Sequence, residues 1–417
     1  MAVKVTHGAL TLTTLACILI TPAMGARIDL LAIGQVDPSY SPISAFAQIE
    51  PSMSGTLVVS RSIHAGIFTR DELRRFVRIY MPRTFRDLLE YEYIVFDQPI
   101  LSHFENLQIG WMYRALSEEG VGSLGFTQSG NAEMYEPWMN SGLQELFPHD
   151  QERFIAGGMD SIEPYSLEIS DDRSLPPVIW PFEALGIEKV QPFGYTRALF
   201  KKEGATEWAR ATAIPAFAGL GFTSCPLLLS WEYGEGKSRI WATGDQFVSP
   251  MWGSWWGGDG QERFSLDIFV NIAWYACGWD IPSDPVIVHQ LRNQFAEYKI
   301  RFGNLYALLD FIENFGASSR TLQGDISEIE NLKAGVDDRY LSQEFDSAAS
   351  SMQEVFTLIT ELESRAVEIK ENALLWVYIV EWLSVTGVLV ITGFLTWTLM
   401  VRRRLYRDIE TTRSRTR

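Results

Sequence analysis

One run limits what this chain can become. Residues 383–401, LSVTGVLVITGFLTWTLMV, carry no charge and are followed at once by Arg402, Arg403 and Arg404. A helix needs about 20 mostly apolar residues to cross a hydrocarbon layer about 30 Å thick. The run therefore predicts a transmembrane helix, taken with its outer interface as residues 373–401. Trp376, Tyr378 and Trp382 mark one boundary and Trp397 lies near the other, as in an aromatic belt. Glu381 falls at the outer boundary, where its carboxylate reaches water. The arginine cluster assigns 402–417 to a basic cytoplasmic tail by the positive-inside rule. The expected arrangement is a single pass through the plasma membrane, with the N-terminal part outside the cytoplasm.

The other end fits that orientation. MAVKVTH is short and mildly basic, GALTLTTLACILI is apolar but short for a span, and TPAMGA offers small residues before Ala26. This is the anatomy of a secretory signal peptide over 1–25, with a retained anchor as the alternative. The whole chain carries −17, the tail +5 and the first 26 residues only Lys4, so residues 27–401 carry −23. Such a surface repels nucleic acid and anionic lipid. Beyond the leader only Cys225 and Cys277 remain. A single disulfide and two buried thiols are both open. No metal-ligand spacing and no cofactor motif is present, so neither is expected.

From 26 to 282 strand and helix patterns alternate. IDLLAIG and GTLVVSRSI are strands, the first of the near-continuous apolar kind buried on both faces of a parallel sheet. TRDELRRFVRIYM is a helix with Thr69 as N-cap and Glu72 as its capping-box partner. YEYIVFDQP is a third strand, the segment LSHFENLQIGWMYRALSEEG a helix stopping at Gly120, and VGSLGFT a fourth strand. The pattern predicts an α/β fold, a three-layer sandwich with a mostly parallel sheet. Short strands after Ser161 form its antiparallel far side, and ERFSLDIFVNIAWYACG is the closing helix.

The stretch MPRTFRDLLEYEYIVFDQPILSHFENLQIGWMYRALSEEGVGSLGFTQSG resembles the class I glutamine amidotransferase-like superfamily, in its glutamine amidotransferase branch. WEYGEGKSRIWATGDQFVSPMWGSWW and the helix after it resemble that family's late segment. The resemblance covers roughly residues 27–280. It implies a cysteine nucleophile at the turn after the fourth strand and a histidine after the late strand. The corresponding turn, SLGFTQSGN, has no cysteine, and the late strand leads to Asp245 and Gln246 instead. Thr127 and Ser129 are hydroxyls without an evident base. Of His64, His103, His149 and His289, only His149 lies near in sequence, and FPHDQE reads as a surface loop. No catalytic residue is therefore assigned.

In open α/β sheets, ligands sit beyond the carboxyl ends of the strands. That edge collects Gln35, Asp37, Asp97, Gln98, Thr127, Gln128, Asp245 and Gln246, with Trp252 as an apolar wall. These residues form a candidate cleft for a small ligand. Acids and amides at strand ends also cap turns routinely, and Trp255 and Trp256 beside Trp252 also suit packing.

Beyond 283 a helical, coiled-coil-like stalk is expected to 372. Leu291, Phe295, Tyr298, Phe302, Leu305, Leu309 and Ile312 follow a 3.5-residue repeat. So do Met352, Val355, Ile359, Leu362, Ala366, Ile369 and Ala373, with Ile326, Ile329, Leu332 and Val336 between them. Such a seam must be buried against another helix. A hairpin of the first helix on the last satisfies it, and so does self-association between copies. Residues 337–345 read as irregular, and no Gly or Pro interrupts 352–384, so the last helix should enter the membrane unbroken. The function expected is a non-catalytic binding or scaffolding subunit of a cell-envelope assembly. The alternatives are a surface hydrolase acting on an amide or carbohydrate at the strand-end cleft, and a purely architectural stalk protein.

Overall fold

The computed structural model describes residues 27–38, 41–62, 67–126, 132–150, 160–161, 165–187, 196–212, 222–245, 247, 264–282, 284–315, 318 and 320–414. The chain divides into two compact units. One runs to Ser283 and includes Asp338–Glu344; the other holds Asp284–Asp337 and Phe345–Arg417.

The first unit is built on a mixed eight-stranded sheet. Its strands are β1 (Ile28–Gly34), β2 (Met53–Val59), β3 (Tyr93–Asp97), β4 (Gly122–Phe126), β5 (Ser166–Ile169), β6 (Thr206–Thr212), β7 (Cys225–Tyr233) and β8 (Ser238–Thr243). They lie in the order β2-β1-β3-β4-β8-β7-β6-β5. The five strands from β2 to β8 are parallel, and the last three join antiparallel. The expected sheet was mostly parallel with an antiparallel far side. The structure has this arrangement, with β7, β6 and β5 forming the antiparallel far side as a meander.

Helices cover both faces. The helices of this unit are α1 (Pro42–Ile49), α2 (Arg70–Tyr80), α3 (Phe85–Leu88), α4 (Asn106–Ser117), α5 (Ala132–Met139) and α6 (Ser265–Ala276). Pleating sends alternate residues of β3 to opposite sides. Tyr93 packs on Phe269 of α6, with ring centroids 6.4 Å apart, and Phe269 in turn packs on Phe46 of α1 at 5.3 Å. On the other face Phe96 meets Trp138 at 5.9 Å and Phe147 at 6.0 Å. There Ile94, Phe96, Ile240 and Ala242 join Val77 of α2 and Met112 of α4 in one buried cluster. The helix starts follow local chemistry. Thr69 accepts from the Glu72 N–H at 3.3 Å while Glu72 accepts from the Thr69 N–H at 2.7 Å. The Thr69 N–H and the Thr69 hydroxyl, which donates to the same carboxylate at 2.8 Å, both lower the Glu72 pKa, the backbone donor most. Thr84 and Asp87 repeat the box at α3.

A buried polar knot ties a distant segment into this unit. Glu50 accepts from the Ser52 hydroxyl at 2.7 Å and from the Tyr340 hydroxyl at 3.1 Å. Trp274 donates to the Ser52 hydroxyl at 2.8 Å and packs on Tyr340. All four residues are nearly or fully buried. A buried carboxylate is tolerated only when hydrogen-bonded in this way.

The second unit is a three-helix bundle that extends into one long helix. Its helices are α7 (Pro285–Asn314), α8 (Gln323–Leu341, whose last four residues belong to the first unit) and α9 (Phe345–Ser414). Arg301 of α7 meets Glu363 of α9 at 3.1 and 2.6 Å, and Phe315 lines one groove with Ile369, Ala373 and Trp376, so α7 and α9 run in the same direction. Tyr306 bonds Glu330, and Lys333 lies over Phe295 and Tyr298, so α8 runs the opposite way. The first helix is thus parallel to the last, and α8 supplies the antiparallel return. Residues 337–341, expected to be irregular, continue α8; only Ser342–Glu344 breaks the helix. Leu291, Phe295, Phe302, Leu305, Leu309 and Ile312 are buried, as are Met352, Val355, Ile359, Leu362 and Ala366. Both main seams are filled within one chain, with Tyr298 and Ile369 half-buried at their margins. As expected, α9 passes without a break from the bundle into the apolar run. Among the described residues it is the one helix long and apolar enough to cross a membrane.

Candidate functional site

The parallel strands bring their carboxyl ends into one row. Gly34 pairs with Asp97, Asp97 with Phe126, and Phe126 with Thr243. Gln35, Gln98 and Asp245 therefore follow onto the same edge. Thr127, Gln128, Gln246 and Trp252 lie outside the described residues.

In this strand order the direction of winding reverses between β1 and β3, which is where an open sheet forms its ligand crevice. Among the described residues, backbone from β1 and β3 meets closely at this point. The Gln35 N–H donates to the Asp97 carbonyl at 2.8 Å. Gly34, at φ +127°, packs so closely that a Cβ would stand 1.9 Å from the same oxygen. Gln98 adopts the left-handed φ of 49°, uncommon for a residue with a Cβ. Its side-chain carbonyl accepts from the Arg61 guanidinium.

The remaining candidates are turned inward. Gln35, Asp37, Asp97, Gln98 and Asp245 are all buried. Asp245 accepts from the Tyr165 hydroxyl at 3.1 Å, and its N–H donates to the Thr243 hydroxyl at 3.2 Å. The adjacent Gly244 N–H reaches the Leu227 carbonyl at 2.7 Å. Four described contributors to the edge are absent from the sequence-derived set. Arg61 and Ser60 follow β2, where both N–H groups donate to the Gly34 carbonyl. His103 is buried with Nδ1 3.0 Å from the Ser60 carbonyl. Only their places just after β2 and β3 signalled them. Tyr165 arrives from 80 residues away and carried no signal at all.

The thiols and His149 are unsuited to nucleophilic chemistry. Cys225 and Cys277 are both free. Cys225 opens β7 at the carboxyl edge of the parallel strands, while Cys277 contacts the Glu92 carbonyl before β3, at the opposite edge. The β3 strand alone separates the two edges by roughly 15 Å, far beyond the reach of a disulfide. Burial raises the Cys225 pKa to about 12 and lifts Cys277 well above its ordinary value. Neither supplies the thiolate that attack requires. His149 is not on a surface loop. Asp150 N–H bonds the Phe200 carbonyl and Lys202 N–H the Pro148 carbonyl, so the segment is strand-paired and His149 is buried. Burial, with a smaller contribution from Lys202, lowers its pKa to about 3. Among the described residues no group of three or more His, Cys, Asp or Glu side chains is placed to hold a metal ion.

The tryptophan-rich segment divides at its strand. Trp241 is fully buried, tilted against Trp208 with centroids 4.8 Å apart and edge-to-face with Tyr275 at 5.9 Å. Its role is packing. Compared with family profiles, with curated proteins and with solved structures, the chain matches none of them.

Proposed function

We propose that this chain is a non-catalytic, single-pass membrane protein whose α/β head is an extracytoplasmic binding or scaffolding subunit of a cell-envelope assembly. One observation carries the reading. The helix α9 leaves a closed bundle, continues without interruption through an uncharged run, and meets an arginine cluster at its far end. A head carried on such a stem is held at a membrane surface. The leader-like N-terminus supports export of the head, and the arginines support a cytoplasmic tail.

A fold of the class I glutamine amidotransferase-like kind is inferred from the quoted motifs. The parallel order β2-β1-β3-β4-β8 is compatible with it. The non-catalytic reading rests on the state of the candidate reactive groups. Asp245 is engaged by Tyr165, both thiols are held protonated by burial, and His149 is too poor a base to carry a proton near neutral pH. A hydrolase at this edge has less support than a contact role for the head surface.

Chemical cross-linking in intact cells, followed by detergent extraction, tests the reading. The expected result is a discrete species well above the 47.3 kDa of one chain, containing a second copy or a defined envelope protein. A chain recovered only as an uncrosslinked monomer contradicts it.

A further inference from the structure

The membrane-side end of the helical bundle carries apolar surface that its own packing does not use. Phe311 and Phe315, at the end of α7, pack in a tilted pair with ring centroids 4.5 Å apart and are 37% and 41% exposed. Beside Phe315 runs a groove of about 660 Å³ that it lines together with Asn372, Ala373, Trp376, Val380 and Glu381 of α9. Trp376 is 67% exposed. Exposed aromatics on two helices at one level need an apolar or interfacial environment.

The length of the uncharged segment says which environment. From Asn372 to Val401 there are 30 residues with Glu381 as the sole charge. As a helix they extend about 45 Å, the thickness of a bilayer including both headgroup layers. With Arg402–Arg404 at the cytoplasmic headgroups, Asn372 reaches the outer headgroup boundary. Phe315 packs at the level of Asn372 to Trp376, hence inside the outer interfacial layer. Tryptophan favours that layer, and phenylalanine buries in its acyl boundary.

We propose that the α7–α8 end of the bundle is a second membrane contact, in which Phe311, Phe315 and the adjoining groove take up outer-leaflet lipid. The stem would then meet the bilayer through two helix ends, which restrains its tilt more than a single helix does. The inference rests on α9 spanning the membrane, and the test separates the two.

The photoreactive residue benzoylphenylalanine is placed in turn at Phe315, Val390 and Ile300 of the full chain, reconstituted in phosphatidylcholine vesicles. Ile300 is 64% exposed and stands about 22 Å farther up α7, so it controls for apolar exposure alone. After irradiation, mass spectrometry should find the same one-lipid mass shift at 315 and 390 and none at 300. A lipid adduct at 390 without one at 315 overturns the second contact and leaves the span intact. Cross-linking of 315 to protein, or an equal lipid adduct at 300, also overturns it. Loss of the adduct at 390 removes the span and this inference with it.

Discussion

At the scale of single residues, the head shows how burial decides chemistry. His149 is held neutral in the fold, while the unfolded chain takes up a proton near the ordinary pKa of 6.5. Its native pKa is depressed to about 3, so the unfolded state binds more protons between these values. Stability is therefore full above about 6.5 and declines as pH falls. The slope approaches about 1.4 kcal/mol per pH unit. Chemical denaturation of the full chain between pH 7 and 5 should show this decline, and His149→Gln should flatten it; an unchanged slope in the variant contradicts the assignment. The sequence did not foretell this burial. FPHDQE looks solvent-facing because its neighbours are polar, and neither the pairing with residues 200–202 nor the packing on Phe147 is signalled there. The strand-end acids were legible as a row, because parallel strands finish on one edge. Their inward turn was not, because Tyr165 and Arg61 come from elsewhere in the chain.

At the scale of elements, periodicity was a good guide to existence and a poor guide to partners. The Thr69–Glu72 capping box and the 3.5-residue seams could be read directly, since each depends on spacing within one element. A seam states that it must be buried without naming the helix that buries it. The short link between α7 and α8 favours an antiparallel neighbour, and the third helix then returns parallel to the first. Ion pairs such as Arg301–Glu363 set this register but, being partly exposed, contribute only modestly. The seam residues dominate. Leu362→Ala, at a fully buried position, should destabilise the bundle by about 2–5 kcal/mol. Val367→Ala, at a 41% exposed position, should stay within about 0.5 kcal/mol. Denaturant melting of the two variants checks this, and equal effects would contradict burial of the seam within the chain.

At the scale of the whole molecule, charge and apolarity are sorted along the chain. The −23 of residues 27–401 suits a hydrated surface, the uncharged run suits lipid, and a +5 tail follows that run. This ordering was the most legible property of the sequence, because hydropathy over twenty residues needs no knowledge of tertiary contacts. The α/β class was also legible from alternation. The order of the strands on the antiparallel side was less so, because short strands bounded by turns leave it open.

The most direct test of this account is protease protection in intact cells stripped of their outer wall. Trypsin added outside should cut exposed stem sites such as Arg365, 48% exposed at its side chain, and release the head. The membrane should retain a C-terminal fragment with Arg402, Arg403 and Arg404 uncut until the bilayer is permeabilised. Cleavage at those arginines in sealed cells, or recovery of the intact chain in the soluble fraction, would contradict a single span with the head outside.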